Sequence, residues 1–330
     1  MLKAIEAQHS LFVERAKDIY SFSHLTFQEY FTAIYLEQNQ SRGALTRLIE
    51  QHLGERRWRE VFLLTASLLN QQSADAFFAQ LQRAIDHLVA ADPSLLALVT
   101  WADAKAKIAM PPGEGRYAAF RLAYLSLDRA LVRAREDALE RERDLAFALE
   151  RELAFALKRD IVLEFVLDRG LALEFALDRA LTLARVLSPA VGLDYGLYYA
   201  WIYTALFAKD GWPRADKVVG EVMPEYPNML IGIGELAQQA GAVGLAATLV
   251  ELPVLPVTAS TTAWQQQADQ LLELLRQRDL VHEWQFDQAQ INKLDAYLTA
   301  NELLVECLKV ALVSDRQGVL AGVLAVPKPA

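Results

Sequence analysis

Cysteine is almost absent: Cys307 is the single one in 330 residues. No intrachain disulfide can form, and a lone thiol fits a reducing, cytoplasmic setting. Glycine and proline are scarce, at 15 and 11, and most prolines come after residue 188. Long stretches thus escape the two residues that most often interrupt helices. A basic excess is lacking as well. Lys and Arg number 33 against 42 Asp and Glu, for a net charge of −9. Arginines sit beside carboxylates, as in Glu140-Arg141-Glu142-Arg143-Asp144. Such mixed runs read as solvated, salt-bridged helix faces and not as a nucleic-acid surface, which needs concentrated positive charge.

Catalytic signatures are also lacking. There is no GxxxxGK[ST] phosphate loop, and the nearest glycine pair, Gly113-Glu114-Gly115, has no Lys-Ser/Thr behind it. No dinucleotide fingerprint, HExxH, CxxC or GxSxG occurs. The histidines are His9, His24, His52, His87 and His282, none four residues from another, so no metal site is expected. The paired carboxylates lie in charged runs and not in the apolar setting that splits two pKa values. These absences point to a chain with no catalysis of its own. Met1 to Ser10 has no apolar signal-peptide core. Pro189 to Ala208 has the length of a bilayer span, yet it carries Asp194 and two glycines and has no basic flank. It reads as a buried helix, so no membrane partner is expected.

What the chain does have is apolar mass. Hydrophobic residues make up 53%, with 14 Phe, 11 Tyr and 6 Trp to fill a core. The expected class is all-α: a multi-helix array with a short N-terminal β-hairpin and an Ala/Leu-rich helical repeat. Met1–Gln8 reads as the end of a helix. Leu11–Arg15 and Ile19–Ser23 are rich in strand formers and flank Ala16-Lys17-Asp18, a turn of hairpin length. Ser23 is the expected N-cap of the next helix, with His24 opening it. Phe27, Tyr30, Phe31, Ile34 and Tyr35 then recur at steps of three and four, giving an aromatic helix face.

Further helices are predicted at Arg42–His52, Arg56–Asn70, Ser73–Ala90 and Pro93–Lys107. In the second of these Trp58, Val61, Phe62, Thr65 and Leu69 share a face, and Asp92-Pro93 is a cap followed by an N1 proline. Met110–Gly115 is a break. Tyr117–Leu187 holds no proline and one glycine, Gly170, and contains the repeats RDLAFALE, RELAFALK, RDIVLEFVLD, RGLALEFALD and RALTLARVL. Leu145, Leu149, Leu153, Leu157 and Ile161 step by four, so on one helix the stripe winds around the axis. The alternation within LAFAL also allows strands, though Ala and Leu content and the lack of turn residues favour helix. Trp201, Phe207, Trp212 and Tyr226 should anchor a compact helical cap. Leu252–Pro256 is a linker, and Thr261–Val281 and Gln288–Val310 read as two more helices around a Glu283–Phe286 turn.

One constellation stands out: Tyr20-Ser21-Phe22-Ser23-His24-Leu25-Thr26-Phe27-Gln28-Glu29-Tyr30-Phe31. A strand enters a helix N-terminus that bears a histidine. Free N–H groups and the helix dipole favour anions there. The bland alternative is that His24 only caps its helix.

Ile19–Phe31 closely resembles the end of the winged-helix domain in NACHT-type STAND NTPases, the NLR-like signalling ATPases. Ala4–His9 and Leu11–Arg15 look like that domain's preceding helix and wing, and Arg57-Trp58-Arg59-Glu60-Val61 resembles the WxEV segment that follows it. The Ala/Leu-rich repeats and Trp284-Gln285-Phe286 through Leu308 look like the C-terminal helical region of cyanobacterial NACHT proteins. The implied organisation is a partial winged-helix end at 1–31, a helical domain at 32–110, the repeat at 116–188 and a C-terminal helical domain at 189–330.

By position, His24 would be the family histidine that contacts the ADP phosphate and locks the inactive state. Phe22, Phe27, Glu29, Tyr30, Phe31 and Trp58 would be motif and packing residues. The resemblance implies a regulatory and sensor role, exercised through protein contacts with a NACHT nucleotide-binding domain in cis or in trans. It also implies oligomerisation of the full-length protein, and an association with signalling and phage defence in bacteria. ATP or ADP and Mg²⁺ would belong to the NACHT domain, and no cofactor is expected in this chain. Because Met1 falls inside the winged helix, a fragment, half of a split gene or a decayed copy is expected. The rival reading is a standalone helical scaffold that binds protein without any nucleotide.

Overall fold

A computed structural model describes residues 12–16, 19–110, 116–127, 181, 183–185, 187–208, 225–256, 258–282, 284 and 286–327. The Met1–Gln8 helix end, Lys17-Asp18 of the hairpin turn, Trp212 and nearly all of the Ala/Leu-rich repeat lie outside them. The regular elements among the described residues are helical apart from one two-stranded sheet. They divide into two compact units: 1–91 with 296–323 and 327–330, and 92–295 with 324–326.

The first unit opens on the hairpin. β1 (Phe12–Ala16) pairs antiparallel with β2 (Ile19–Phe22), in the register Phe12 to Phe22, Val13 to Ser21 and Glu14 to Tyr20. Helix α1 (Leu25–Gln38) follows. Its cap is His24 and not Ser23, so the helix starts one residue later than the sequence suggested. A 3₁₀ turn (Gln40–Arg42) and Gly43 then precede α2 (Ala44–His52). Gly43 has φ +72°, a left-handed conformation that side chains disfavour, and this is why the helix does not begin at Arg42 as predicted. Likewise Arg56–Trp58 is a 3₁₀ turn and α3 spans Arg59–Leu68. Asn70 caps α4 (Gln71–Ala90) by accepting from the Ser73 amide.

Packing follows the apolar spacing. α1 lies against α2 and α3, and α2 against α4. Phe62, Phe77, Leu81 and Ile85 are fully buried at the centre. Residues 296–323 complete this unit. Arg59 Nε donates to Glu306 at 2.7 Å, and the Ser314 amide donates to Asp75 at 2.9 Å. A short helix that the sequence did not advertise, Arg316–Gly322, is capped by Asp315. Gly318 is required beside that cap, since a Cβ there would sit 2.1 Å from the Asp315 carboxylate.

The second unit begins at Asp92, which caps α5 (Pro93–Ala109) through the Ser94 and Leu95 amides, as its sequence predicts. α6 (Tyr117–Leu127), α7 (Pro189–Phe207), α8 (Glu225–Gln239), α9 (Val243–Glu251) and α10 (Thr261–Gln277) follow. α7 is the centre: it packs on α5, α6, α8 and α10. Tyr226 and Trp264 meet edge to face at 5.6 Å and are fully buried. Of the other expected anchors, Trp201 is only half-buried, and the Phe207 side chain is not among those described. Helix α11 (Gln288–Val310) matches its predicted span and supplies residues to both units.

α5 goes with the later helices because its buried face, including Leu98, Trp101 and Ala102, packs on α6 and α7. Residues 296–323 go with the N-terminal helices through the Glu306 and Ser314 contacts. No helix of the described residues is long and apolar enough to cross a membrane.

Candidate functional site

The strand-to-helix motif forms a small aromatic ridge. Phe22, the last residue of β2, has its ring 4.8 Å from Phe12 across the hairpin and 5.9 Å from Phe31 on α1. Phe22 thereby links the hairpin to the helix. The chain then turns at Ser23-His24. His24 holds an extended conformation (φ −131°, ψ 144°) and its carbonyl accepts from the Phe27 amide at 3.2 Å. Its imidazole makes no capping hydrogen bond and is exposed, with the Phe27 ring 6.1 Å away.

The aromatic face of α1 does not become core. The residues of α1 that are buried are Ala33 and Leu36, whereas Tyr30 and Phe31 are each 43% exposed. Phe27 and Glu29 are half-buried. Ile19, Leu25 and Tyr35 are more exposed still. The side of α1 that α3 covers carries small and aliphatic residues, so the aromatic rings lie along its margin. Trp58 is also half-buried: its ring stacks on His52 at 3.7 Å and lies outside the sealed core. His52 Nδ1 in turn lies 3.2 Å from Glu55, whose carboxyl is held below the ordinary range by His52 and Arg57.

The hairpin and most of α1, but not His52, Glu55 or Trp58, fall inside a recognisable domain. Residues 1–36 match the winged helix-turn-helix domain C-terminal to NACHT, and residues 257–318 match the NACHT C-terminal Helical domain 2. The chain carries the C-terminal region of a NACHT protein. No curated protein and no solved structure matches it. Both matched domains are accessory to a NACHT domain, and a NACHT domain is the partner they imply. The hairpin and α1 are the winged-helix end of this region. α10, α11 and the segment between them belong to its C-terminal helical domain.

A second cluster, most of it outside the two matched segments, escaped sequence reasoning. Asp194, on α7, is 1% exposed. Its carboxylate accepts from Tyr124 Oη of α6 at 2.7 Å and from Arg278 Nε, just past α10, at 2.5 Å. Lys105 Nζ of α5 lies 3.6 Å away and donates to the Arg278 carbonyl at 2.7 Å. Burial lowers the Lys105 pKa against the pull of Asp194, and burial beside that carboxylate raises Tyr124 well above the ordinary phenol. Trp101 Nε1 donates to the Asp279 carbonyl at 2.8 Å. Two residues before Lys105, Asp103 accepts from Arg121 Nε at 2.6 Å and pairs with Lys107 at 2.6 Å. One signal was available: Asp194 is the only charge in an apolar run of nineteen residues. Such a charge must be paired when its helix is buried. Cys307, by contrast, is fully buried with its thiol pKa pushed far up by desolvation, which makes it unreactive. Among the described residues no group of His, Cys, Asp or Glu is placed to hold a metal.

Proposed function

We propose that this region is the regulatory and sensing part of an NLR-like STAND signalling NTPase. It acts through protein contacts and performs no catalysis itself. Nucleotide binding and hydrolysis, with ATP or ADP and Mg²⁺, belong to the NACHT domain it serves. In that assembly His24 donates to an ADP phosphate and holds the inactive state, and release allows the full-length protein to oligomerise. Prokaryotic antiphage signalling, in the cytoplasm, is the setting this reading favours.

The observation that carries the reading is the state of His24. Its imidazole stands exposed at the N-terminal end of a fourteen-residue helix, with no side-chain capping bond to satisfy it. The helix dipole favours an anion at such a position. The exposed Leu25, Tyr30, Phe31 and Tyr35 beside it supply apolar surface for a neighbouring domain. Coupling then requires only that ADP and ATP differ in their affinity for the closed arrangement.

The test uses the protein joined to its NACHT domain and follows release of a fluorescent ADP analogue. His24→Ala should speed release about tenfold or more, as the loss of a charge-assisted hydrogen bond predicts, and should raise basal signalling. Wild-type release by a folded variant would overturn the role of His24. The standalone-scaffold reading would gain if the region bound no NACHT domain at all.

A further inference from the structure

We infer that Asp194 is the pin of a charge clasp that holds the turn at 278–282 onto α5, α6 and α7, and that releasing it frees this turn and the end of α10 as a unit. This goes beyond the nucleotide reading and stands without it. Three separate segments converge on this one carboxylate of α7: Lys105 from α5, Tyr124 from α6 and Arg278 from the turn. A leucine at position 194 would pack in this apolar helix at lower cost. A charge there, buried and multiply bonded, specifies one arrangement of its neighbours and leaves several groups uncompensated when one partner goes.

The turn is built to depend on that arrangement. Asp279 has φ +54°, a left-handed conformation that costs a non-glycine residue. Its carbonyl is held by Trp101 and that of Arg278 by Lys105, so α5 grips the strained backbone twice. His282 follows, with its ring 5.1 Å from Trp101. The turn's own bonds are local: the amides of Arg278, Asp279 and Leu280 donate to the carbonyls of Leu274, Arg276 and Leu275 at 3.2, 2.9 and 2.9 Å. Arg278 is the outermost member of the clasp, its side chain 23% exposed against 1% for Asp194. Water therefore has the shortest route to the bond that joins turn to helix. When that bond opens, Arg278 and Lys105 can be solvated while the apolar contacts of α7 with α8 and α10 remain.

Amide hydrogen exchange on the whole chain reads this directly. In Asp194→Asn, the amides of residues 278–282 and the last turn of α10 should exchange about tenfold faster or more, as the loss of a buried charge pair requires. The amides of 59–68 and 71–90, in the other unit, should keep wild-type rates. Arg278→Gln removes only the outer partner and leaves Tyr124 and Lys105 on Asp194, so it should give the same selective pattern and decides the matter if Asp194→Asn does not fold. Unchanged exchange at 278–282 would overturn the clasp. So would equal acceleration in every segment, because Asp194 would then contribute only to global stability.

Discussion

Phe62 and Phe77 lie 6.3 Å apart at zero exposure, and the sequence marked only the first of them as a core position. Phe62→Ala should cost about 3–5 kcal/mol in urea unfolding, the range for emptying a buried aromatic site. Trp58→Ala should cost less, about 2 kcal/mol, since its indole is half-buried and gives up one stacked partner, His52. Equal losses would show that Trp58 is core after all. His24→Ala should shift stability by no more than about 0.5 kcal/mol, because its side chain makes no capping bond. The same variant is the one that should alter nucleotide release, so function and stability separate at this residue.

Elements in this protein begin where their caps say they do. Asp92 accepts from two amides at the start of α5 and also receives Gln290 Nε2 at 3.0 Å. Asp92→Ala should therefore cost about 1–2 kcal/mol, at the upper end for an N-cap, and a thermal melt would measure it. Gly318→Ala should displace the Asp315 cap and fray the last short helix. Protease cleavage near residue 316 would then appear before any cut in α4. An uncut tail in that variant would mean the cap is dispensable. The hairpin has no such local guarantee. Two strands are not stable alone, and here the Phe12–Phe22–Phe31 rings are what fasten them to α1.

For the molecule as a whole, acid stability follows from its paired carboxylates. Burial alone would raise the Asp103 pKa, but hydrogen bonds from Lys107 and Arg121 outweigh it and hold the group below its ordinary 3.8. Asp92 behaves alike, with the Leu95 amide and Gln290 opposing burial. Lowered folded values mean that the unfolded chain takes up protons first. This stabilisation is complete above the unfolded value near 3.8 and is lost as pH falls through the folded values. Lys105 acts at the other end. Its folded pKa is lowered from 10.5, so stability should rise with pH between the folded value and 10.5. Urea midpoints taken from pH 7 down to 3 should fall steeply only below about pH 4; a flat profile would refute the assignment.

The amino-acid sequence by itself determined the helical class, the hairpin, the Asp92-Pro93 helix start and the span of α11. Each is a property of neighbours within a few residues, where propensity, capping and spacing act; the winged-helix reading around His24 rested instead on resemblance to a family. Which side of α1 is buried was decided only by packing: aromatic spacing pointed to one face, yet α3 covers Ala33 and Leu36. The Asp194 cluster was likewise a tertiary matter. Asp194 lies 70 residues from Tyr124 and 84 from Arg278, and no periodicity reaches across such separations. A lone charge in an apolar helix told that a partner must exist; the fold alone chose which one, because only close packing of α5, α6, α7 and the turn after α10 brings those groups within bonding distance.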